Sequence, residues 1–224
     1  MSLRDISFWI RSARTDSLLK KLRHEHGNEE AFNRLYRALP EPWFAGVTRY
    51  RYQPLKYQIV LSLLPDRIYH RAQDIGCGVG IFSQLLAGQD EQVVGIDISQ
   101  SAVDHAARDS AGVSYVEFRQ GDMRNLDSAY LGQFDLVVLA DTIYYLPDLS
   151  DGGLQSVREK VLSMLAPNGI LLAVNHSFFQ FDPHSRMTRK IHACFKWGKG
   201  MHLESQHRRP FFLVSVLKRK QLPA

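Results

Sequence analysis

One stretch of the sequence has residue types and a spacing that suit the binding of a small ligand. Residues 71–82 read as a short strand that ends in an acid, a glycine-rich turn and then a helix. Gly76, Gly78 and Gly80 alternate with small residues in that turn. Glycine allows positive φ angles and lets the backbone approach a ligand closely, because no Cβ intervenes. The turn and the first N–H groups of the helix are therefore predicted to face whatever lies above the carboxyl end of the strand.

The spacing of the glycines excludes two common nucleotide-binding motifs. A dinucleotide fingerprint needs a glycine where Ile81 stands, and a P-loop needs a Gly-Lys-Ser/Thr run, which is missing here. Asp97 ends the next apolar strand, where the acid of a βαβ unit accepts hydrogen bonds from ribose hydroxyls. Two other interpretations stay open: Asp97 is the N-cap of the helix from Ser101, or the glycine turn is a tight connection that binds no ligand.

Three further landmarks follow in order along the chain. They are an acid and a methionine at Asp122-Met123, a continuous apolar strand at 134–141, and a helix stop with a fifth strand at 165–174. Together with the Asp-x-Gly-x-Gly-x-Gly motif, these landmarks resemble class I methyltransferases that use S-adenosylmethionine (SAM). The resemblance implies SAM as cofactor, S-adenosylhomocysteine (SAH) as product, and Asp122 and Met123 as the contacts of the adenine ring. The cofactor-binding residues that it implies in this part of the chain are Asp74, Gly76, Cys77, Gly78, Asp97, Ile98, Asp122, Met123 and Ala140.

Aromatic and basic residues crowd together at 43–57, just before the helix that leads into the first strand. Chain order puts this segment above the strand ends, where an aromatic face gains cation–π energy from a sulfonium ion. The acid-Pro-Trp run from Glu41 to Trp43, followed by Tyr52 and Lys56, resembles the nodulation N-methyltransferase (NodS-like) family. Trp43 and Tyr52 are therefore predicted to contact the cofactor. The alternative is an aromatic patch that anchors the N-terminal helices.

Candidate catalytic residues follow the fourth and fifth strands. Methyl transfer requires the protein to orient the acceptor, exclude water and, for an amine or hydroxyl acceptor, supply a base. His176 is the predicted general base, because imidazole titrates near physiological pH, and a hydrogen-bonded structural histidine is the alternative. Asp141 and Tyr145 lie in a run that resembles the NodS-like family and are predicted to serve the acceptor side. The acceptor pocket is expected between the segments 43–57 and 176–197.

The elements that must position these residues alternate from residue 71 to residue 175. This alternation predicts a Rossmann-like α/β fold, with helices on both faces of a mostly parallel sheet. The family resemblance adds a final antiparallel pair, near 201–206 and 211–217, to give seven strands. Ligands of such sheets lie at the carboxyl ends of the strands, so polar strand ends are expected at one edge. The predicted strands are 71–76, 92–97, 113–118, 134–140 and 169–175, and the predicted helices are 80–88, 100–109 and 151–165.

The first 57 residues are predicted to form a helical cap on a catalytic core of residues 58–224, within a single domain. Residues 1–40 keep apolar i, i+4 spacing that breaks at Gly27, and Asn28 is the candidate N-cap of the second helix. We expect this cap to act as a lid over the site. Peripheral contact of the basic first helix with a membrane surface or a partner is the alternative.

Composition favours an ordinary globular protein. The 224 residues carry a net charge of +5, and Cys77 and Cys194 lie far apart, which favours reduced thiols and a cytoplasmic location. No apolar run approaches the ~20 residues of a membrane span. Asp182, His184 and His192 lack the spacing of metal ligands, so no metal is predicted. Nothing in the sequence indicates the oligomeric state.

The sequence therefore predicts a SAM-dependent methyltransferase that acts on nitrogen or oxygen of a small-molecule or saccharide-type acceptor. Nucleic acid is not the expected partner, since the basic residues are spread and no RNA-binding module is visible. An RNA or protein methyltransferase stays open because basic clusters occur at 208–209 and 218–220. The run from Ala140 to Ile143 lacks the tetrad of adenine-methylating DNA enzymes. A non-catalytic SAM-binding module is the other alternative.

Overall fold

The structure is a computed structural model, and it is built around one seven-stranded sheet with the order β3-β2-β1-β4-β5-β7-β6. The first five strands are parallel, and β7 runs antiparallel to both β5 and β6. The strands are β1 (Arg71–Ile75), β2 (Gln92–Asp97), β3 (Val116–Gln120), β4 (Phe134–Ala140), β5 (Leu165–Ser177), β6 (Met201–Arg209) and β7 (Phe211–Arg219). The predicted fold class, including the final antiparallel pair, is confirmed. The structure describes residues 3–46, 50–87, 92–126, 128–178 and 182–220.

Helices cover both faces of the sheet because each face carries its own apolar cluster. One cluster joins the strands to α6 and α7 through side chains such as Leu154 and Phe195. The other cluster joins them to α3 and α4 through Val60, Phe82 and their neighbours. Buried on both sides, the central strands are continuous apolar runs, as parallel strands usually are. The helices are α1 (Leu3–His26), α2 (Asn28–Ala38), α3 (Tyr52–Leu61), α4 (Ile81–Ala87), α5 (Gln100–Asp109), α6 (Asp151–Met164) and α7 (Pro183–Trp197).

Two strands begin at residues other than the predicted ones. β3 begins at residue 116 rather than 113, because a turn bond from the Val113 N–H to the Ser110 carbonyl (2.9 Å) still belongs to the end of α5. β5 begins at residue 165 rather than 169, and α6 ends one residue before the predicted boundary. The early start of β5 pairs Leu165 with Phe134 across a register shift, beside Asn168 at φ 62°. Such a bulge cannot be read from hydrophobic alternation.

The two N-terminal helices form as predicted, but the boundary between them differs. Gly27, at φ 78°, precedes α2 as its cap, and Asn28 is the first helical residue instead of the N-cap. α2 is fixed to the sheet domain, because the Asn33 amide oxygen accepts hydrogen bonds from the Ser99 hydroxyl (2.9 Å) and the Ser101 N–H (3.2 Å). None of the helices in the described ranges is both long and apolar enough to cross a bilayer. Residues 47–49, 88 and 179–181 of the predicted segments lie outside the described residues.

Candidate functional site

A cavity of about 1140 Å³ lies at the carboxyl ends of β1, β2, β4 and β5, where the strand-end residues Ile75, Asp97, Ala140 and His176 all face it. α1 lies along its other side and contributes residues spaced three or four apart, on one face of the helix. Most of the predicted site residues line this single cavity: Trp43, Gly76, Cys77, Gly78, Asp97, Ile98, Asp122, Met123, Ala140, Asp141, Tyr145 and His176.

The fold itself requires glycine in the turn, apart from any need to let a ligand approach closely. Gly76 and Gly78 have φ angles of 75° and 55°, in the region that glycine adopts most easily. A Cβ on Gly76 would collide with the Thr142 side chain, and a Cβ on Gly78 would lie 2.8 Å from the Tyr36 hydroxyl. Side chains from the segment after β4 and from α2 therefore exclude larger residues from the turn even before a ligand is considered.

Asp97 is buried at the end of β2 and organises the backbone around it. Its two carboxylate oxygens accept hydrogen bonds from the Gly78 and Ser99 N–H groups, each at 2.9 Å. Burial raises the pKa of Asp97 to about 6, despite these hydrogen bonds. The N-cap of α5 is Ser99, whose hydroxyl accepts from the Ala102 N–H (3.2 Å), so the capping role considered for Asp97 is wrong. Asp97 lines the cavity, and its carboxylate has lone pairs left that can accept hydrogen bonds from a ligand.

Asp122 and Met123 lie beyond β3 at the same end of the cavity. Asp122 caps a short 3-10 turn by accepting from the Arg124 N–H (2.9 Å), and it is also paired with the Arg124 guanidinium. Although burial favours the neutral acid, the hydrogen bonds from Arg124 hold the pKa of Asp122 below its usual range. Met123 is buried against the cavity and presents an apolar surface.

Two predicted cofactor contacts, Asp74 and Tyr52, are not among the residues that line the cavity, and both side chains have other roles. The Asp74 carboxylate is buried behind the glycine turn, where it accepts a hydrogen bond from the Ser83 hydroxyl (2.7 Å). Tyr52 stacks on His176, with ring centroids 6.1 Å apart, and donates to the Phe211 carbonyl (3.5 Å). The Tyr52 ring therefore lies next to His176 and Trp9, which line the cavity, and its contact with the cofactor stays a prediction.

The opposite end of the cavity contains a partly buried charge cluster of three residues. Asp141 follows β4 at φ 54° and forms an ion pair with Lys56 of α3, whose side chain is completely buried. The other carboxylate oxygen of Asp141 accepts from the His176 N–H (3.0 Å) and lies 2.8 Å from His176 Nδ1. Burial alone would raise the pKa of Asp141, but His176 and Lys56 hold it well below its usual range. Asp141 is therefore ionised at neutral pH and anchors both neighbours.

His176 is held so that one ring nitrogen is free of protein partners. Nδ1 contacts Asp141 and lies 3.3 Å from the Tyr144 hydroxyl. Nε2 is buried and has no hydrogen-bond partner within the described part of the chain. The ring is flanked by Phe178, whose centroid lies 5.9 Å away in a stacked arrangement, and by Trp9 of α1, edge-on at 5.7 Å. When the Nδ1–H group of His176 donates its hydrogen bond to the Asp141 carboxylate, Nε2 carries a lone pair that can take a proton from a bound molecule.

α1 is joined to the site by a residue that the sequence did not single out. Asp16 accepts hydrogen bonds from the Trp43 indole N–H and from the Tyr145 hydroxyl, each at 3.0 Å. The adjacent Thr15 hydroxyl donates to the Pro42 carbonyl (2.9 Å). Nothing in the local pattern around Asp16 predicts these contacts, because its partners lie far away in the chain. Lys56 carried a clearer signal, since it is a charged residue in the buried stripe of a helix.

The acid and the two histidines considered as metal ligands have separate surroundings. Asp182 caps α7 by accepting from the Ser185 N–H (2.9 Å). His192 lies on the buried face of that helix, 2.7 Å from the Ser215 hydroxyl through Nδ1, and burial lowers the pKa of His192 to about 4. His184 lines the cavity. Within the described ranges, no three histidine, cysteine or acidic side chains are grouped closely enough to hold a metal ion.

Comparisons with known proteins agree on one family. Residues 70–209 match the sequence profile of a family described as methyltransferase domain. Nodulation protein S of Rhizobium tropici is 29% identical over 147 residues, which cover 66% of this chain and 59% of that protein. The putative methyltransferase YqeM of Bacillus subtilis is 35% identical over 118 residues, covering 52% of this chain and 46% of that protein. The matched region thus spans less than two thirds of these two relatives.

Solved structures show the same fold. The N-methyltransferase NodS from Bradyrhizobium japonicum WM9, in complex with SAH, superposes with a TM-score of 0.71 at 19% identity, covering 87% of this chain and all of that one. The PH0226 protein from Pyrococcus horikoshii OT3 superposes with a TM-score of 0.67 at 22% identity, covering 84% of this chain and 99% of that one.

Proposed function

The chain belongs to the methyltransferase domain family, and we propose that it transfers the methyl group of SAM to a nitrogen or oxygen of a small-molecule or saccharide-type acceptor. The observation that carries this proposal is a single cavity whose two ends differ. One end, at Asp97 and Asp122, has acceptors that suit a nucleoside, and the other end has His176, which can act as a general base. Relatives described as N-methyltransferase and as O-methyltransferases of ubiquinone and magnesium-protoporphyrin support both acceptor atoms.

The residues of the first end fit the cofactor. Asp97 has lone pairs left for a vicinal diol, and Asp122 can accept a hydrogen bond from an exocyclic amino group. Met123 offers an apolar face for a ring, and Trp43 lines the cavity on the other side. When bound, SAM supplies a methyl carbon that is activated by its sulfonium group. SAH is the corresponding product.

The second end would act on the acceptor. His176 Nε2 takes the proton that the acceptor nitrogen or oxygen loses, and Asp141 keeps the imidazole in the tautomer that leaves Nε2 free. Lys56 balances the charge of Asp141 in the buried site. Tyr145, held by Asp16, contributes to positioning the acceptor. In this proposal His176 Nε2 transfers the proton, and the surrounding side chains orient the imidazole and the acceptor.

The N-terminal helices are proposed to act as a cap that excludes water. α1 lays one face over the cavity, and its Trp9 packs edge-on against His176. The acceptor must reach Nε2, which this packing covers, so the cap has to open and close during turnover. Asp16 and Thr15 are the contacts that would hold it closed. Cys77 and Cys194 form no disulfide, in keeping with a cytoplasmic enzyme.

The basic cluster at 218–220 gives little support to an RNA substrate, because Lys218 pairs with Ile170 of β5, away from His176 and the cavity. The cluster at 208–209 lies nearer the cavity, because Arg209 pairs with Phe212, which also pairs with His176. A direct test incubates the protein with SAM and panels of amino-saccharides, hydroxylated small molecules, RNA and a protein extract, and measures SAH release. We expect release only with small-molecule or saccharide acceptors. Release with RNA alone, or SAH binding without turnover on any panel, would favour one of the two alternatives.

A further inference from the structure

Gln53, in the first turn of α3, carries a buried polar atom without a partner. The residue is 4% exposed and lines the cavity. Its side-chain oxygen Oε1 accepts no hydrogen bond from any residue in the described part of the protein. An unsatisfied buried acceptor costs about 1–3 kcal/mol, so native proteins rarely keep one without a reason. No role was predicted for Gln53 from its place in the sequence.

The position of Gln53 on α3 shows which part of the cavity it serves. One turn further along the same helix, Lys56 pairs with Asp141 after β4. Tyr57, four residues after Gln53, packs on Phe82 of α4 with ring centroids 4.9 Å apart. Gln53 therefore lies on the side of the glycine turn and the end of β4. Asp122 lies beyond β3, on the far side of β2, so Gln53 belongs to the other end of a ligand that Asp122 contacts.

The polar groups near this side of the cavity accept hydrogen bonds. Glu41 lines the cavity, and its carboxylate already accepts from the Gly46 N–H (2.9 Å). Lys56, the cation of α3, is committed to Asp141. Gln53 and Glu41 line the same cavity, and an amide oxygen together with a carboxylate suits a positively charged donor and disfavours a bound carboxylate.

We infer that Gln53 Oε1 accepts a hydrogen bond from the α-ammonium group of the methionine portion of SAM or SAH. This inference rests on the proposed cofactor. The other donors of the cofactor are the ribose hydroxyls and the adenine amino group, which Asp97 and Asp122 serve in the proposed site. The α-ammonium group is the one donor left for the glycine-turn side.

The test compares two ligands that differ in the methionine portion. SAH has the α-ammonium group, and 5′-methylthioadenosine lacks the whole amino-acid portion. Both are titrated by calorimetry into the wild-type protein, Gln53→Met, Gln53→Glu and the control Gln58→Met, which changes an exposed residue of the same helix. Gln53→Met should weaken SAH binding about tenfold and leave methylthioadenosine binding unchanged. Gln53→Glu should bind SAH at least as well as the wild type, because a carboxylate pairs with an ammonium group.

Each other outcome overturns the inference in a recognisable way. Wild-type SAH affinity in Gln53→Met would show that Oε1 has no contact with the ammonium group. Equal weakening of both ligands in Gln53→Met would show that Gln53 supports the fold of the site. Weaker SAH binding in Gln53→Glu would show that the amide acts as a donor. If the wild-type protein binds neither ligand, the proposed function fails together with the inference, whereas all other outcomes leave it intact.

Discussion

The two ends of the cavity use buried carboxylates in opposite ways. At the cofactor end, Asp97 accepts hydrogen bonds from backbone N–H groups. No cation among the described residues lies within ion-pair distance of Asp97, and burial raises its pKa to about 6. At the acceptor end, Asp141 is paired with Lys56 and His176, and its pKa falls below the usual range. The first carboxylate has hydrogen-bonding capacity left for a ligand. The second is saturated by the protein and orients a neighbouring side chain.

The two carboxylates also differ in how far their hydrogen-bond and ion-pair partners lie from them in the sequence. The partners of Asp97 are Ser99, two residues away, and the glycine turn that precedes it by one βα unit. The partners of Asp141 come from residue 56 and residue 176, which only the folded sheet brings together. In the proposed function, binding of the cofactor is thus a local property of the chain, and the acceptor chemistry is a property of its tertiary structure.

The largest effect is expected from removing the cation of the saturated end. Lys56→Met leaves Asp141 as a buried, partly uncompensated charge, and breaking a buried pair in this way costs about 3–5 kcal/mol. Urea denaturation should show this loss in the free energy of unfolding. The double variant Lys56→Met/Asp141→Asn should recover much of it, because no charge is left unpaired. A single variant within about 1 kcal/mol of the wild type would mean that the pair is not structurally important.

The second largest effect is expected from replacing His176, which should change catalysis without changing cofactor binding. His176→Ala should lower kcat by about 10²-fold or more, as expected for the loss of a general base. The affinity for SAH should change little, because the Asp97 end is untouched. His202→Ala, an exposed histidine of β6, is the matched control and should keep wild-type activity. If His176→Ala keeps its kcat, or loses SAH affinity to the same extent, the histidine supports the site without transferring a proton.

The pH dependence of stability should have opposite signs at the two carboxylates. The folded state raises the pKa of Asp97 from about 3.9 to about 6, so its contribution is fully present below about pH 4 and is lost as the pH rises through 6. The pKa of Asp141 is lowered, so its contribution is present above about pH 4 and is lost as the pH falls further. The expected change in the free energy of unfolding is about 3 kcal/mol for Asp97.

The measurement compares urea denaturation of the wild type with Asp97→Asn and with Asp141→Asn between pH 3 and pH 8. Relative to Asp97→Asn, the wild type should lose stability between about pH 4 and pH 6. Relative to Asp141→Asn, it should lose stability on the acid side of pH 4. Two differences with the same sign of slope would remove the distinction between the two carboxylates.

The smallest effect is expected at the contact between the cap and the acceptor end. Tyr145→Phe removes the hydroxyl that donates to Asp16 but keeps the aromatic ring. A net hydrogen bond is worth about 1 kcal/mol, so a positioning role predicts a decrease of about fivefold in kcat. SAH affinity should be unchanged. A decrease as large as that of His176→Ala would assign Tyr145 to the chemical step instead.

The fold and the cofactor end could be predicted because their signals are local. Alternating apolar strands and helices, and acids at strand ends, lie within short windows around Gly76 and Asp97. The exceptions are informative: Asp74 has the acid of the motif, yet its side chain turns towards Ser83 behind the turn. Strand periodicity alternates between faces, and a shift of one residue decides which face a side chain joins.

The acceptor end could be predicted only in outline. Chain order brought Asp141 and His176 to the same edge, but the contact with Lys56 depends on how α3 packs against β4. Asp16 and Gln53 gave no local signal, because the partners of Asp16 lie far away in the chain and Gln53 Oε1 has no partner among the described residues. Such residues become visible when burial and hydrogen bonding are examined together.

The most direct test of the account is a calorimetric titration of SAH into the wild-type protein and Asp97→Ala at neutral pH. We expect micromolar-range affinity for the wild type and no binding of NAD. Asp97→Ala removes the acceptor of the ribose hydroxyls and should weaken SAH binding by about 2–4 kcal/mol, or about 30-fold or more. Circular dichroism should confirm that the variant is folded. Wild-type affinity in Asp97→Ala, or no binding of SAH by the wild type, would contradict the assignment of the cofactor end.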